Sequence, residues 1–227
     1  MLISVVADAS LGSLRPLRGE AIPVRGEIAI FGERDGHLRQ TAEQRRARSP
    51  YLAACLVGRS ESGSPAELLK AYLHPCAAAG HLMPVDSDCE RHTLRLLRQL
   101  QPWLAQRQGI GLAIRKPVFD VAMGLGAAGP DSDDVDVCGP CIPDFLLDAD
   151  RVPSGGASSV IVETMGYADA EYQERKQRIH ALMSRSLAAP LIKHDFHLPA
   201  EQSQPERDRD FQLQCRWTIT GKEHHRT

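Results

Sequence analysis

The chain lacks a membrane-length apolar run, a basic field, a cysteine framework and the glycine signatures that cradle nucleotide phosphates. Its 227 residues carry 27 Lys+Arg against 29 Asp+Glu, a formal charge of −2, so any nucleic-acid contact has to use local patches. The six cysteines, Cys55, Cys76, Cys89, Cys138, Cys141 and Cys215, are scattered along the chain, unlike the dense framework of a small secreted scaffold. Met1-Leu2-Ile3-Ser4-Val5-Val6 has neither the basic n-region nor the apolar length of a signal peptide. No stretch approaches the roughly 20 apolar residues of a spanning helix. These absences set the expectation of a cytoplasmic, reducing location without a membrane partner. Neither G-x-x-x-x-G-K-[ST] nor a strand-linked G-x-G-x-x-G occurs, and there is no G-x-S-x-G elbow and no internal repeat.

What is present is ordinary globular material, 42% apolar and 25% charged, enough for one large domain or one domain with decorations. Basic clusters fall at Arg39, Arg45, Arg46 and Arg48, at Arg91, Arg95 and Arg98, and at Arg175, Lys176 and Arg178. Taken singly, each reads as a solvated face.

Along the chain, strand-like runs occupy residues 21–31 and 51–57. Residues 65–73, with Ser64 as N-cap and Pro65 at the first position, predict a short helix. A second helix opens at Ser87-x-x-Glu90 and carries Leu94, Leu97, Leu100 and Leu104 as one stripe, with Pro102 expected to kink or restart it. Residues 109–117 read as a strand and 124–137 as a Gly/Ala/Asp-rich loop. Asp169 caps a third helix on which Tyr172, Lys176 and His180 share a face at i, i+4 and i+8. Pro190-Leu191-Ile192 begins another strand, and residues 211–220 are expected to dock as an edge strand.

The most informative stretch runs from Pro143 to Gly166. Two short, turn-bounded apolar runs flank a loop through Gly155-Gly156 and read as a hairpin of buried strands. One run begins beside Asp144 and the other leads into Glu163. Charged carboxylates are rarely buried unpaired, and two on neighbouring strands suggest a shared cation. Mg²⁺ prefers such oxygen donors and completes its shell with water and substrate phosphate.

With these pieces in order, residues 85–193 resemble the PD-(D/E)xK nuclease superfamily, with a flavour of its very-short-patch-repair-like branch. Ser87-x-x-Glu90 stands at the first acidic motif, Pro143-Asp144 at the "PD", Glu163-Thr164-Met165-Gly166 at the E-x-K, and Tyr172, Lys176 and His180 on the helix that presents accessory groups. The resemblance implies an α/β fold with a restriction-endonuclease-like mixed sheet flanked by helices. It implies that Glu90, Asp144 and Glu163 hold Mg²⁺ or Mn²⁺, with Lys176 and His180 as accessory catalytic groups, and DNA, with RNA as an alternative, as partner. The sequence departs at Met165, where the family has lysine. Lys176 or Lys116 could supply that lysine, or the site is degenerate and only binds nucleic acid.

Bland readings stand beside these. Ser87-x-x-Glu90 is also a capping box, and Lys176 and His180 could line a solvated helix face. Cys138-Gly139-Pro140-Cys141 spells a thioredoxin-like tetrapeptide, but Pro143 and the apolar run after it argue for a strand rather than the helix a redox thiol needs. The same pair could be half of a structural Zn²⁺ site, completed by His74, Cys76 or Cys89. Asp131, Asp133, Asp134 and Asp136 lack the glycine and terminal glutamate of a calcium loop. The expected organisation is an N-terminal β-containing extension over residues 1–84, a nuclease-like core over 85–197, and a polar C-terminal segment over 198–227. The leading function is metal-dependent DNA hydrolysis. A non-catalytic nucleic-acid-binding or complex-forming protein is the second reading, and a zinc or thiol protein the third.

Overall fold

The computed structural model describes residues 2–10, 12–30, 48–58, 66–118 and 141–221. The chain divides into two compact units, Met1–His92 and Thr93–Thr227. Among the described residues, no helix is long and apolar enough to cross a membrane.

The first unit is β-rich. Its strands are β1 (Leu2–Ser10), β2 (Ser13–Pro16), β3 (Ile22–Pro23), β4 (Ile28–Ile30), β5 (Tyr51–Gly58), β6 (Glu67–Ala78) and β7 (His81–Pro84). They form a sheet in the order β3-β2-β1-β5-β6-β4, with β7 pairing β6. Burial of Tyr51, Ala53 and Cys55 at every second position gives β5 one inward face, and these side chains join Val6, Leu14 and Leu73 in one core. The expected helix is absent over residues 67–73, which form the first half of β6; Ser64 and Pro65 lie outside the described residues. Glu67, Leu68, Leu69, Lys70 and Ala71 favour helix intrinsically, but antiparallel pairing with β5 from Gly58↔Glu67 to Tyr51↔Pro75 overrides that preference.

Helix α1 (Asp88–Gln108) starts in the first unit and runs through the division. Leu94, Leu97, Leu100 and Leu104 are its buried stripe, as the spacing predicts. The helix does not restart at Pro102, which lies on its exposed side.

In the second unit, β8 (Leu112–Arg115), β9 (Phe145–Ala149), β10 (Ser159–Met165) and β11 (Leu191–Asp195) form a four-stranded sheet in the order β11-β10-β9-β8. β8, β9 and β10 are antiparallel neighbours, whereas β10 and β11 are parallel. A parallel neighbour needs a crossover, and α2 (Ala170–Leu187) supplies it, capped by Asp169 as expected. Ile179 and Met183 of α2 pack on Ile161, Cys141 and Ala189, covering one face of the sheet. On the other face Thr164 of β10 reaches Thr93 of α1.

Helix α3 (Gln204–Thr220) joins that second face. Phe211 stacks on His194 with centroids 4.4 Å apart, and Arg216 lies 4.1 Å over the Trp103 ring of α1. The expected edge strand over residues 211–220 is therefore helix. Its β-favouring Phe211, Trp217 and Ile219 conceal a helical spacing in which Phe211, Cys215 and Ile219 are buried. Ser203-Gln204-Pro205-Glu206 carries the start signal, with Glu206 accepting from the Ser203 amide at 2.7 Å. The helix ends at Gly221 (φ 65°), where an added Cβ would lie 2.4 Å from the Gly155 backbone. The hairpin loop between β9 and β10 thus docks on the end of α3.

The result is a mixed sheet flanked by helices in the order helix, strand, strand, strand, helix, strand, as expected, preceded by a β-rich extension and followed by one helix.

Candidate active site: a carboxylate pair with a lysine and a histidine

Register puts the two acids together. β9 and β10 pair through Val162↔Phe145, and one step further sets Asp144 opposite Glu163. Directly opposed residues of an antiparallel pair share a sheet face. Side-chain bonds lock the arrangement: the Asp144 amide donates to Glu163 Oε1 at 3.0 Å, and the Thr164 amide donates to Asp144 Oδ2 at 2.7 Å. Each carboxylate is therefore gripped by backbone from the other's strand.

Helix α2 brings a lysine and a histidine to the same acid. Lys176 Nζ lies 2.6 Å from Glu163 Oε2, and His180 Nε2 lies 3.1 Å from that oxygen. Glu163 is fully buried, and the Lys176 side chain is only 15% exposed. Such a carboxylate is tolerated because it is paired and hydrogen-bonded. Burial by itself would raise the Glu163 carboxyl, but hydrogen bonds from His180 and Lys176, the lysine charge and the Asp144 amide outweigh it and hold the group below the ordinary carboxylate value. Burial likewise opposes the Lys176 charge, yet the attraction of Glu163 and Asp144 prevails and raises its pKa. One turn earlier, Tyr172 donates to the Thr164 carbonyl at 3.5 Å. Burial, with Asp144 and Glu163 nearby and against the pull of Lys176, pushes its phenol up to about 12, so it stays a donor at neutral pH.

Asp144, Glu163, Lys176 and His180 are thus brought into one cluster. Lys116, the other candidate lysine, sits 5.7 Å from the Phe145 ring centroid in a cation–π contact. Met165 is 1% exposed, an apolar filler where the resemblance called for an ammonium. Glu90 lies at the head of α1: its amide donates to Ser87 Oγ at 3.1 Å, an N-cap bond, and its carboxylate accepts from the Asp86 amide at 3.1 Å, one residue before the cap rather than from the Ser87 amide of a full capping box. Cys141 is buried in the apolar cluster under α2, its thiol 4.0 Å from the Ile179 carbonyl. Cys138, the acidic run from Asp131 to Asp136, and Arg39, Arg45 and Arg46 lie outside the described residues. Burial raises the thiols of Cys55, Cys76, Cys89 and Cys215, which opposes thiolate chemistry at those positions.

Two carboxylates on one face form an all-oxygen donor set of the kind hard divalent cations select. The bonds described occupy one lone pair of Asp144 Oδ2 and one of Glu163 Oε1, and a carboxylate oxygen has two, so the donors fit such an ion. Its charge would compete with Lys176 and His180 for Glu163 Oε2.

Sequence reading missed the polar residues behind the pair. Thr93, Thr164 and His194 are all buried and hydrogen-bonded to one another. Buried polar residues inside apolar runs are the signal that could have marked them, but their pairing spans 101 residues and is not encoded in local spacing.

An α-β-β-β-α-β core with two carboxylates meeting at its central hairpin defines a restriction-endonuclease-like fold. A family model described as "Restriction endonuclease-like C-terminal domain" matches residues 86–217, more than half of the chain. The chain belongs to that family. It is also similar to an Escherichia coli protein named "Uncharacterized protein in cib 5'region", with 31% identity over 180 residues covering 79% of this chain and 70% of that protein. No solved structure matches the chain.

Proposed function

We propose that the chain is a divalent-metal-dependent endonuclease that hydrolyses phosphodiester bonds in DNA. The observation that supports this most is the meeting of Asp144 and Glu163 on one sheet face with Lys176 at 2.6 Å from Glu163. Asp144 and Glu163 would hold Mg²⁺ or Mn²⁺, which when bound neutralises charge on the phosphoryl oxygens and acidifies water. Lys176 keeps its charge and presents it beside the acids, where it can stabilise a phosphate or orient the attacking water. His180 shares the Glu163 oxygen through Nε2, and its buried Nδ1 has no hydrogen-bond partner among the described residues. With the proton on Nε2 donated to Glu163, Nδ1 is left as an acceptor. Tyr172 adds a neutral donor on the same helix face. Lys193 on edge strand β11 is exposed and in register with Glu163, placed to meet a neighbouring phosphate.

A second reading, a DNA-binding scaffold without cleavage, draws on the buried Met165 at the lysine position. One assay separates the two. Wild-type protein is expected to nick supercoiled plasmid in Mg²⁺ or Mn²⁺ and to stop on chelation, and Asp144→Ala should be inactive. Equal cleavage by both proteins removes Asp144 from the chemistry. Salt-sensitive DNA binding without cleavage by the wild type favours the scaffold.

A further inference from the structure

A line of hydrogen bonds, buried at its centre and half-buried at its ends, runs from α3 to the acid pair. Asp208 Oδ1 lies 3.0 Å from His194 Nε2. His194 Nδ1 lies 2.8 Å from Thr93 Oγ1, and Thr164 Oγ1 donates to Thr93 Oγ1 at 3.1 Å. Thr164 closes the line, because its own amide holds Asp144 Oδ2 at 2.7 Å. His194 and Thr93 are 0% exposed and Thr164 5%.

The proton order is self-consistent. Asp208 accepts, so His194 carries its proton on Nε2 and leaves Nδ1 to accept from the Thr93 hydroxyl. Thr93 then has its oxygen available to accept from Thr164. Each hydroxyl donates once, and every donor points the same way. His194 is also fixed in its plane by Phe211 at 4.4 Å and Phe196 at 4.6 Å, and Gln204 donates to the same Asp208 oxygen at 2.7 Å. The only β10 residue in this line is the one between Glu163 and Met165, on the face opposite the acids.

We propose that Asp208, His194 and Thr93 form a positioning chain that holds Thr164, and through the Thr164 amide the Asp144 carboxylate, in the geometry used for phosphodiester hydrolysis. This rests on the nuclease reading above. It extends the functional unit to α3, which lies beyond the α-β-β-β-α-β core. None of these three residues touches substrate. They act by removing the freedom of β10 to twist Thr164 away from Asp144. Outer residues that orient metal-holding carboxylates typically contribute on the order of 10–100-fold in affinity or activity.

The test compares Thr93→Val, which keeps the shape and removes the hydroxyl, with Thr93→Ser, which restores it. Amide hydrogen exchange is read by NMR on the metal-free protein, and plasmid cleavage in Mg²⁺ is measured alongside. In Thr93→Val, exchange at the Thr164 amide should rise roughly tenfold relative to the Ile161 amide. Ile161 is the control because it lies in the same strand and bonds the Pro190 carbonyl at 2.8 Å. The rate of cleavage at saturating DNA should fall on the order of tenfold or more with little change in KM, and Thr93→Ser should recover both. Asp208→Ala against Asp208→Asn repeats the comparison from the far end if Thr93→Val does not fold. Unchanged Thr164 exchange, or an equal rise at Ile161, overturns the proposal. If the wild type fails to cleave DNA, the nuclease reading fails by itself, and the exchange comparison still decides whether the chain positions Thr164. Lost exchange protection with full cleavage would overturn the catalytic role.

Discussion

Replacing Lys176 with methionine strips the buried Glu163 carboxylate of its nearest cation while keeping the aliphatic stem. The Lys176 side chain is 15% exposed and Glu163 0%, with 2.6 Å between the charges, so solvent cannot take the lysine's place. Removing one partner of a buried ion pair costs about 3–5 kcal/mol. Here the lower end, about 3 kcal/mol, is expected, because His180 and the Asp144 amide still hold Glu163. Both tryptophans, Trp103 and Trp217, lie in the 93–227 unit, so their fluorescence in urea reads the right part of the molecule. With an m-value of about 2 kcal/mol/M the midpoint should fall by about 1.5 M. Glu163→Gln combined with Lys176→Met should regain at least about half of the loss, since no buried charge is then left unpaired.

The pH dependence carries a sign. The folded Glu163 pKa lies below its ordinary 4.5, so its stabilisation is present above that value and is lost as pH falls through the folded value. The folded Lys176 pKa lies above its ordinary 10.5, so its share is present below 10.5 and lost as pH rises through the folded value. The pair therefore stabilises across the window between. In Lys176→Met, burial is less opposed, and acid destabilisation should begin at higher pH than in the wild type. The same variant should lose cleavage yet bind Mn²⁺ at least as tightly, because a competing charge has left Glu163. An unshifted urea midpoint would mean that the Lys176–Glu163 pair contributes no stability, and weaker Mn²⁺ binding that Lys176 does not compete for Glu163.

Three further outcomes follow from particular contacts. Gly221→Ala places a Cβ 2.4 Å from the Gly155 backbone at a φ of 65° and should lower stability by roughly 2–4 kcal/mol, read by the same fluorescence. Lys193→Gln should weaken DNA binding evenly across sequences and flatten the salt dependence by about one phosphate contact, measured by anisotropy. Glu90→Gln keeps an acceptor for the Asp86 amide and should be near neutral in stability, whereas Glu90→Ala should cost about 1 kcal/mol. A fall in Mn²⁺ affinity in Glu90→Gln without loss of stability would make Glu90 a ligand as well as a cap.

The central hairpin was legible because Phe145–Ala149 and Ser159–Met165 are short, turn-bounded and apolar, and because an acid at the edge of such a run is costly without a purpose. The α2 face was legible from Tyr172, Lys176 and His180 at helical spacing behind the Asp169 cap. Strand β6 was not, because its first residues favour helix and only pairing with β5 makes them extended. Helix α3 was hidden by the aromatic and β-branched residues at 211–220, although Ser203-x-x-Glu206 announced its start. With methionine at 165, the sequence offers Lys176 and Lys116 as candidate lysines. In space Lys116 lies over Phe145 and Lys176 on Glu163, and the proposed role of Lys176 rests on that contact. The Thr93–His194–Asp208 line joins residues far apart in the chain, and no local pattern encodes it.

The pairing of Asp144 and Glu163 as a divalent-cation site is tested most directly by counting bound Mn²⁺ with electron paramagnetic resonance on the wild type, Asp144→Asn and Glu163→Gln. Saturable binding by the wild type should weaken on the order of tenfold or more in each variant. Equal Mn²⁺ binding by all three proteins would mean that the two acids do not form the site.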